Sequence, residues 1–306
     1  MTKLNPKKVK WITDEVVIRG VDTATVAKIQ GISQRRVQQL VKYYKEHGNY
    51  YQLKMTRRPK KELTVEEKKI IDEAFKESQL GARLLHYHIK KHYGTSISHN
   101  KIHAYLLKKG KARQNPKKQK KRKRKRYERK HAFSSVHADW TYYKGKWVIA
   151  YLDDSTRYIL AIGEFEKATT KNALTTLAEA EKEAESFNDY IRAINTDRGS
   201  QFYANGGEKK KKGLSLYQRT LQEKGIKHIV SRKNNPQTNG KLERWFQEYK
   251  KHRHRFNSKE SFKNWYNSRI HGALCLEWGE TPEEAVLRKL KPECLLGLFF
   301  KNIAKK

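Results

Sequence analysis

The sequence is poor in several residue types. Only two of its 306 residues are cysteine, Cys275 and Cys294. That is too few for a disulfide scaffold or a cysteine-rich zinc site, and it fits a reducing compartment. No apolar run approaches the roughly 20 residues needed to cross a bilayer. Met1 to Trp11 is basic with no hydrophobic stretch behind it, so neither a membrane span nor a secretory leader is expected. Acidic residues are scarce as well: 32 Asp and Glu stand against 69 Lys and Arg, a formal net charge of +37. Such a chain repels itself unless it faces a polyanion, which makes nucleic acid the first partner to consider. What it does have is ring area. Six Trp, seventeen Tyr and ten Phe make a packed core feasible despite the charge.

The positive charge is concentrated early, since residues 1–130 hold 37 Lys and Arg against 11 Asp and Glu. Within that part, Val26 and Ala27 sit in a short helical stretch, Gly31 allows a tight turn, and Ile32, Val37 and Leu40 return at helical spacing. Two helices crossing over a short turn need this pattern, so it reads as a helix-turn-helix. Ser33 is placed to cap the second helix. Its exposed side would carry Gln34, Arg35, Arg36, Gln38 and Gln39, which suit base edges and phosphates. A helical hairpin with a solvated polar face is the rival, and the surrounding charge favours DNA.

After Arg57, Arg58 and Pro59, Thr64 with Glu67 makes a capping box, and Ile70, Ile71, Ala74 and Phe75 form an apolar stripe. Leu80 to Tyr93 continues at helical spacing, and Ser98 opens a further helix through Ile102, Tyr105 and Leu106 that ends at Gly110. This is a second candidate helix-turn-helix, with Lys101 among its prospective DNA contacts. His99 and His103 are four apart, but no Cys or HExxH pattern accompanies them, so packing or phosphate contact is favoured over metal binding. Lys117 to Lys130 contains eleven Lys and Arg in fourteen residues, Lys120, Arg122, Arg124 and Arg126 among them. Such a run cannot bury, and it reads as a linker that tracks phosphates rather than as a nuclear-localisation signal.

From Phe133 the texture turns to strands. Val136, Ala138, Trp140 and Tyr142 alternate with His137, Asp139 and Thr141, and Lys146–Asp153 and Tyr158–Phe165 are β-rich. Thr170–Glu185 reads as a helix, Tyr190–Thr196 as a strand, Leu216–Lys224 as a helix, Lys227–Val230 as a short strand and Gly240–Arg255 as an amphipathic helix. The order βββαβαβα predicts an α/β mixed sheet of five strands with flanking helices. In this layout Asp139 lies in the first strand, Asp197 at the carboxyl end of the fourth and Glu243 in the first turn of the last helix. Three carboxylates can then converge on one edge, where like charges are tolerable only around a cation, and hard oxygen donors suit Mg²⁺. Two ions held so would serve in-line phosphoryl transfer.

The motifs HADWT (His137–Thr141), YLDDSTR (Tyr151–Arg157), TDRGSQF (Thr196–Phe202) and NNPQTNGKLERWF (Asn234–Phe246) closely resemble the integrase core of DDE insertion-sequence transposases. WYNSRIHGALCLEWGETPEEA (Trp265–Ala285) resembles that family's C-terminal tail. The resemblance implies an RNase H-like fold, with Asp139, Asp197 and Glu243 as the catalytic and metal-binding triad around two Mg²⁺, or Mn²⁺ in their place. Two departures stand out: residues 205–213 look like a basic insertion, and Arg198 stands where relatives often have Asn. Asn234, Gln237, Asn239, Lys241 and Arg244 are the DNA contacts expected beside the triad, with Lys241, Arg244 and Lys250 on or near the face of Glu243. Asp153 and Asp154 read as turn caps, Trp245 and Phe246 as core, and Trp265, Tyr266, Asn267, Arg269 and His271 as packing and DNA-contact residues.

The expected organisation is a helix-turn-helix domain at 1–56, a second at 57–112, a basic linker at 113–132, the catalytic core at 133–256 and a helical tail at 257–306. The expected function is a transposase that binds the inverted ends of its mobile element and cleaves and joins DNA with Mg²⁺. Its partners would be double-stranded end and target DNA and further copies of itself, at least a dimer on DNA, with no membrane. The setting would be a prokaryotic cytoplasm, at the nucleoid. A non-catalytic DNA-binding protein derived from a transposase, and an RNase H-like nuclease or resolvase, are the alternatives. Intact carboxylates favour the enzyme, and tandem helix-turn-helix blocks favour end recognition.

Overall fold

The computed structural model describes residues 4–53, 62–114, 129–204, 213–231 and 240–303. The expected contacts Lys120, Arg122, Arg124, Arg126, Asn234, Gln237 and Asn239 lie outside the described residues, as does nearly all of the basic insertion. The chain divides into two units, 1–62 and 63–306.

In the first unit, α1 (Pro6–Val17), α2 (Thr23–Gln30) and α3 (Gln34–His47) are each set by a polar cap. Asp22 accepts from the amides of Ala24 and Thr25, and Ser33 accepts from Arg36 N. Gly31 ends α2 at φ 63°, a left-handed conformation that glycine adopts without a Cβ penalty. Val9, Ile12, Val26, Ala27, Val37 and Leu40 close into one buried cluster. Truncating Leu40 to Ala there would cost about 2–5 kcal/mol.

The second unit begins with α4 (Val65–Ser78), α5 (Ala82–Tyr93) and α6 (His99–Lys108). The capping box of Thr64 and Glu67 forms at the start of α4. These helices bury Ile71, Ala74, Leu85, Ile89, Ile102 and Leu106 together with Ile270, which comes from the C-terminal segment. Further ties hold the same two parts: Lys91 Nζ bonds Glu284 at 2.7 Å and the Gly279 carbonyl at 3.1 Å, and Trp265 Nε1 donates to Glu77 O at 3.0 Å.

The sheet comprises β1 (Val136–Tyr143), β2 (Lys146–Asp153), β3 (Ile159–Phe165), β4 (Ala193–Thr196) and β5 (Lys227–Val230), in the order β3-β2-β1-β4-β5. The first three are antiparallel neighbours, while β4 and β5 join in parallel. Alternation sorts the side chains to two faces. Val136, Ala138, Ile149 and Tyr151 meet α7 (Thr170–Ser186) and α8 (Leu216–Glu223). Val148, Ala150 and Leu152 meet α9 (Gly240–His252) and α10 (Lys259–Ser268) through Leu242, Trp245, Phe246, Tyr249, Phe262 and Tyr266. Two short helices, α11 (Pro282–Lys289) and α12 (Pro292–Ile303), follow.

Several expected elements are shorter than the sequence pattern. The strand read over 190–196 pairs only from Ala193, and the helix read to Arg255 changes to a 3-10 turn after His252. The stretch read as a tail is part of the core. The Asn267 amide pairs with both backbone groups of Ile159, at 2.9 and 3.0 Å, and so satisfies part of the β3 edge.

Candidate active site

Asp139 lies opposite Ala150 in the β1–β2 pairing. Residues directly opposite share a face, so Asp139 lies on the side covered by α9, which packs over β1. The parallel pairing of β1 with β4 matches Val136 to Ile194 and His137 to Asn195, a constant offset of 58 residues. Continued by two residues, that register brings Asp139 level with Asp197, one residue past β4. Asp197 Oδ1 accepts from Gly199 N at 2.9 Å. A Cβ at Gly199 would stand 3.0 Å from that oxygen, so glycine allows the turn to wrap this closely. Asp139 Oδ1 accepts from Trp140 N at 2.7 Å.

Glu243 is exposed in the first turn of α9, on the flank of the buried stripe made by Leu242, Trp245, Phe246 and Tyr249. The two aspartates have the hard-donor chemistry and common level that a divalent cation requires. Among the described residues, however, no group of three or more acidic, His or Cys side chains is gathered closely enough to hold a metal. The structure thus aligns the aspartates and places the glutamate on the neighbouring helix without bringing it into a three-group cluster.

Beneath the carboxylates is a network that the sequence reading missed. His137, two residues before Asp139, bonds Asp154 Oδ1 through Nε2 at 2.7 Å, and Lys241, two residues before Glu243, bonds the same oxygen at 2.6 Å. Burial by itself would raise the Asp154 carboxyl, but the His137 and Lys241 bonds outweigh it and hold it at about 2. Asp153 does cap the turn as expected, accepting from Ser155 Oγ, Thr156 N and Thr156 Oγ1. Asp154 does not: it is a buried hub joining β1 to α9. Lys241, expected among the DNA contacts, accordingly has its ammonium on Asp154. It also lies on the opposite flank of α9 from Glu243, because 3.6 residues per turn place Lys250, not Lys241 or Arg244, beneath Glu243.

The other end of α9 is fixed by Glu164 of β3, which accepts from Tyr249 Oη at 2.6 Å and Arg253 Nε at 2.7 Å. Arg244 is exposed and bonds Gln247 at 2.9 Å. In the first unit Gln34, Arg35 and Gln38 are exposed, whereas Arg36 stacks 4.9 Å over Tyr51. Lys101 is half-buried on α6, where His99, Asn100 and His103 line a groove with Arg83.

Residues 129–236 match the family model of the integrase core domain. A 112-residue stretch is 33% identical to "Putative integrase ORF3" of Spiroplasma virus SpV1-C74, covering 35% of this chain and 30% of that protein. The chain therefore spans under a third of the length of this curated relative. Among solved structures, the catalytic core domain of BIV integrase is 15% identical over 51% of this chain and 95% of its own, with a TM-score of 0.39. The HTLV-2 integrase catalytic core in complex with magnesium is 16% identical over 51% and 97%, with a TM-score of 0.38. A simian T-cell lymphotropic virus intasome chain is 16% identical over 71% and 74%, with a TM-score of 0.41. The chain carries an integrase-like core, built as a mixed five-stranded sheet between helices. Asp139 and Asp197 fall within the matched residues, and Glu243 lies beyond them.

Proposed function

We propose that the chain is a DDE-type transposase that cuts the ends of its own mobile element and joins them to target DNA. The observation that carries this reading is the shared level of Asp139, in the middle of β1, and Asp197, just past the end of neighbouring β4, with Asp139 on the sheet face covered by the helix that bears Glu243. In this reading the three carboxylates hold two divalent ions, Mg²⁺ or Mn²⁺. Bound there, such ions activate an attacking oxygen and stabilise the leaving one.

The chain's own residues do the rest. Asp154 holds the strand of Asp139 and the helix of Glu243 at a fixed separation through His137 and Lys241. The polar face of α3 supplies recognition of the element ends, and the basic residues of 117–130 supply affinity without discrimination. Two separated ends require two sites acting together, so the active species is at least a dimer assembled on DNA.

The test is incubation of the full chain with Mg²⁺ and linear DNA carrying the flanks of its own gene, with products resolved on a denaturing gel. Strand breaks and joined products are expected, and Asp139→Asn, Asp197→Asn and Glu243→Gln should each abolish both while DNA binding persists. Metal-dependent cleavage that survives any one substitution would remove that residue from the triad.

A further inference from the structure

A cavity of about 440 Å³ lies between α9, the C-terminal segment and Leu84 of α5. Four cations line it: Arg157, Lys241, Arg244 and Arg269. Among the described residues, the one acidic side chain in its wall is Glu248, which pairs with Arg269 at 2.5 Å and with Arg244 at 3.7 Å. Lys241 is matched from behind by Asp154. Among the described residues, four positive groups therefore meet two negative ones.

The donors are as unbalanced as the charge. Arg157 is 6% exposed and Arg269 9%, yet Arg157 Nη1 and Arg269 Nε have no hydrogen-bond partner among the described residues. The same is true of Trp245 Nε1, in a residue only 1% exposed. A buried N–H without an acceptor is costly, and more so on a charged group. Arg157 is also held at φ 63°, a conformation that side chains other than glycine rarely adopt. Arg269 is clamped between Glu248 and the Trp265 ring, 4.4 Å away. Gly240, the first residue of α9, forms part of the wall, where the helix favours negative charge. Two fixed guanidinium groups and an indole N–H are a donor set shaped for the oxygens of a phosphate.

We propose that this cavity binds a phosphate of the DNA backbone beside the one that is cut. Its walls include Lys241 and Arg244, neighbours of Glu243 in sequence on the other flank of α9, so a strand seated here lies along the helix that carries Glu243. That the phosphate belongs to DNA rests on the function proposed above; the anion site itself rests only on the cavity. The YLDDSTR and WYNSRIH motifs thereby acquire a shared task, since Arg157 and Arg269 both line the cavity.

The test follows the Trp245 indole signal by nitrogen-15 NMR in the full chain, without divalent metal and with Asp139→Asn to prevent cleavage. The probes are a short duplex, the same duplex with neutral methylphosphonate linkages, and inorganic phosphate. The natural duplex should move the signal and the neutral one should not. Arg157→Gln and the surface change Arg244→Gln should each weaken duplex binding about tenfold and lower its salt dependence by about one counterion. Arg157→Lys should restore part of the loss, and Lys171→Gln, on exposed α7, should change little. A Trp245 signal that stays still while duplex is added to millimolar concentration overturns the proposal. A shift with inorganic phosphate alone overturns the backbone assignment and leaves a site for a small anion. A shift with duplex from a wild-type chain that never cleaves DNA supports the pocket and sinks the transposase reading instead.

Discussion

Asp154 shows how one buried carboxylate can govern two neighbours that it does not touch. It bonds residues two positions before Asp139 and two before Glu243, so its loss should shift both without altering either. Asp154→Asn keeps the shape but removes the charge that matches Lys241, and breaking a buried pair in this way costs about 3–5 kcal/mol. A fall in the cleavage rate of 10-fold or more is expected with DNA affinity nearly unchanged, and rate and binding should be measured separately. An equal loss of both would indicate general unfolding. A second expectation concerns two histidines that burial and neighbouring cations keep neutral. Burial, then Arg157 and Arg269, bring His271 down to about 3, and burial, then Arg269 and Lys251, bring His252 down to about 4. Unfolded, both would take a proton near pH 6.5. Because the folded values are the lower ones, the unfolded chain binds more protons below that pH. Stability should therefore be complete above about pH 6.5 and fall as the pH drops toward 4, by up to about 1.4 kcal/mol per pH unit for each histidine. Urea denaturation at fixed ionic strength between pH 7 and 4.5 measures the slope, which His271→Gln should reduce.

At the scale of elements, much of the fold was legible in the sequence. The meander from Val136 to Phe165 showed itself by alternation, and the capping box at Thr64 marked a helix start that the structure contains. Asp139 and Asp197 were singled out from their places in the first strand and at the end of the fourth. The Asp154 network was not. Its partners are 17 and 87 residues away, and a DDST run carries the same signal whether it caps a turn or anchors a helix. Arg269 was read as a packing and DNA-contact residue, but that it shares a cavity with Arg157 was hidden for the same reason, since the two stand far apart in the chain. Asn267 is a further case, read as a packing and DNA-contact residue but acting as a substitute strand at the β3 edge. Asn267→Ala should leave the Ile159 amide and carbonyl unpaired at a cost of about 1–3 kcal/mol. It should also expose an edge that templates association. A lowered midpoint in thermal unfolding, with earlier light scattering, is the expected result.

At the scale of the whole molecule, the proposed function divides recognition and chemistry between units. Residues 63–306 contain the sheet and every candidate carboxylate, while α2 and α3 lie in the first unit. A chain starting at Leu63 should therefore fold and retain Mg²⁺-dependent nicking of DNA, but lose its preference for element ends over random duplex at matched salt. Competition binding against random DNA checks this, and undiminished preference would place end recognition in the second helical block.

The ties between that block and the C-terminal segment also bear on how such a protein can be recombined. Ile270 completes the interior of α4 to α6, Trp265 bonds Glu77 and Lys91 bonds Glu284, so residues 63–112 and 265–284 have a single shared interior although some 150 positions separate them. A chimera that exchanges the helical block with a relative must exchange the later stretch with it. Swapped singly, either piece would meet a surface shaped for another partner, and the natural crossover point for trading DNA specificity falls before Leu63 rather than within the basic stretch after Arg113.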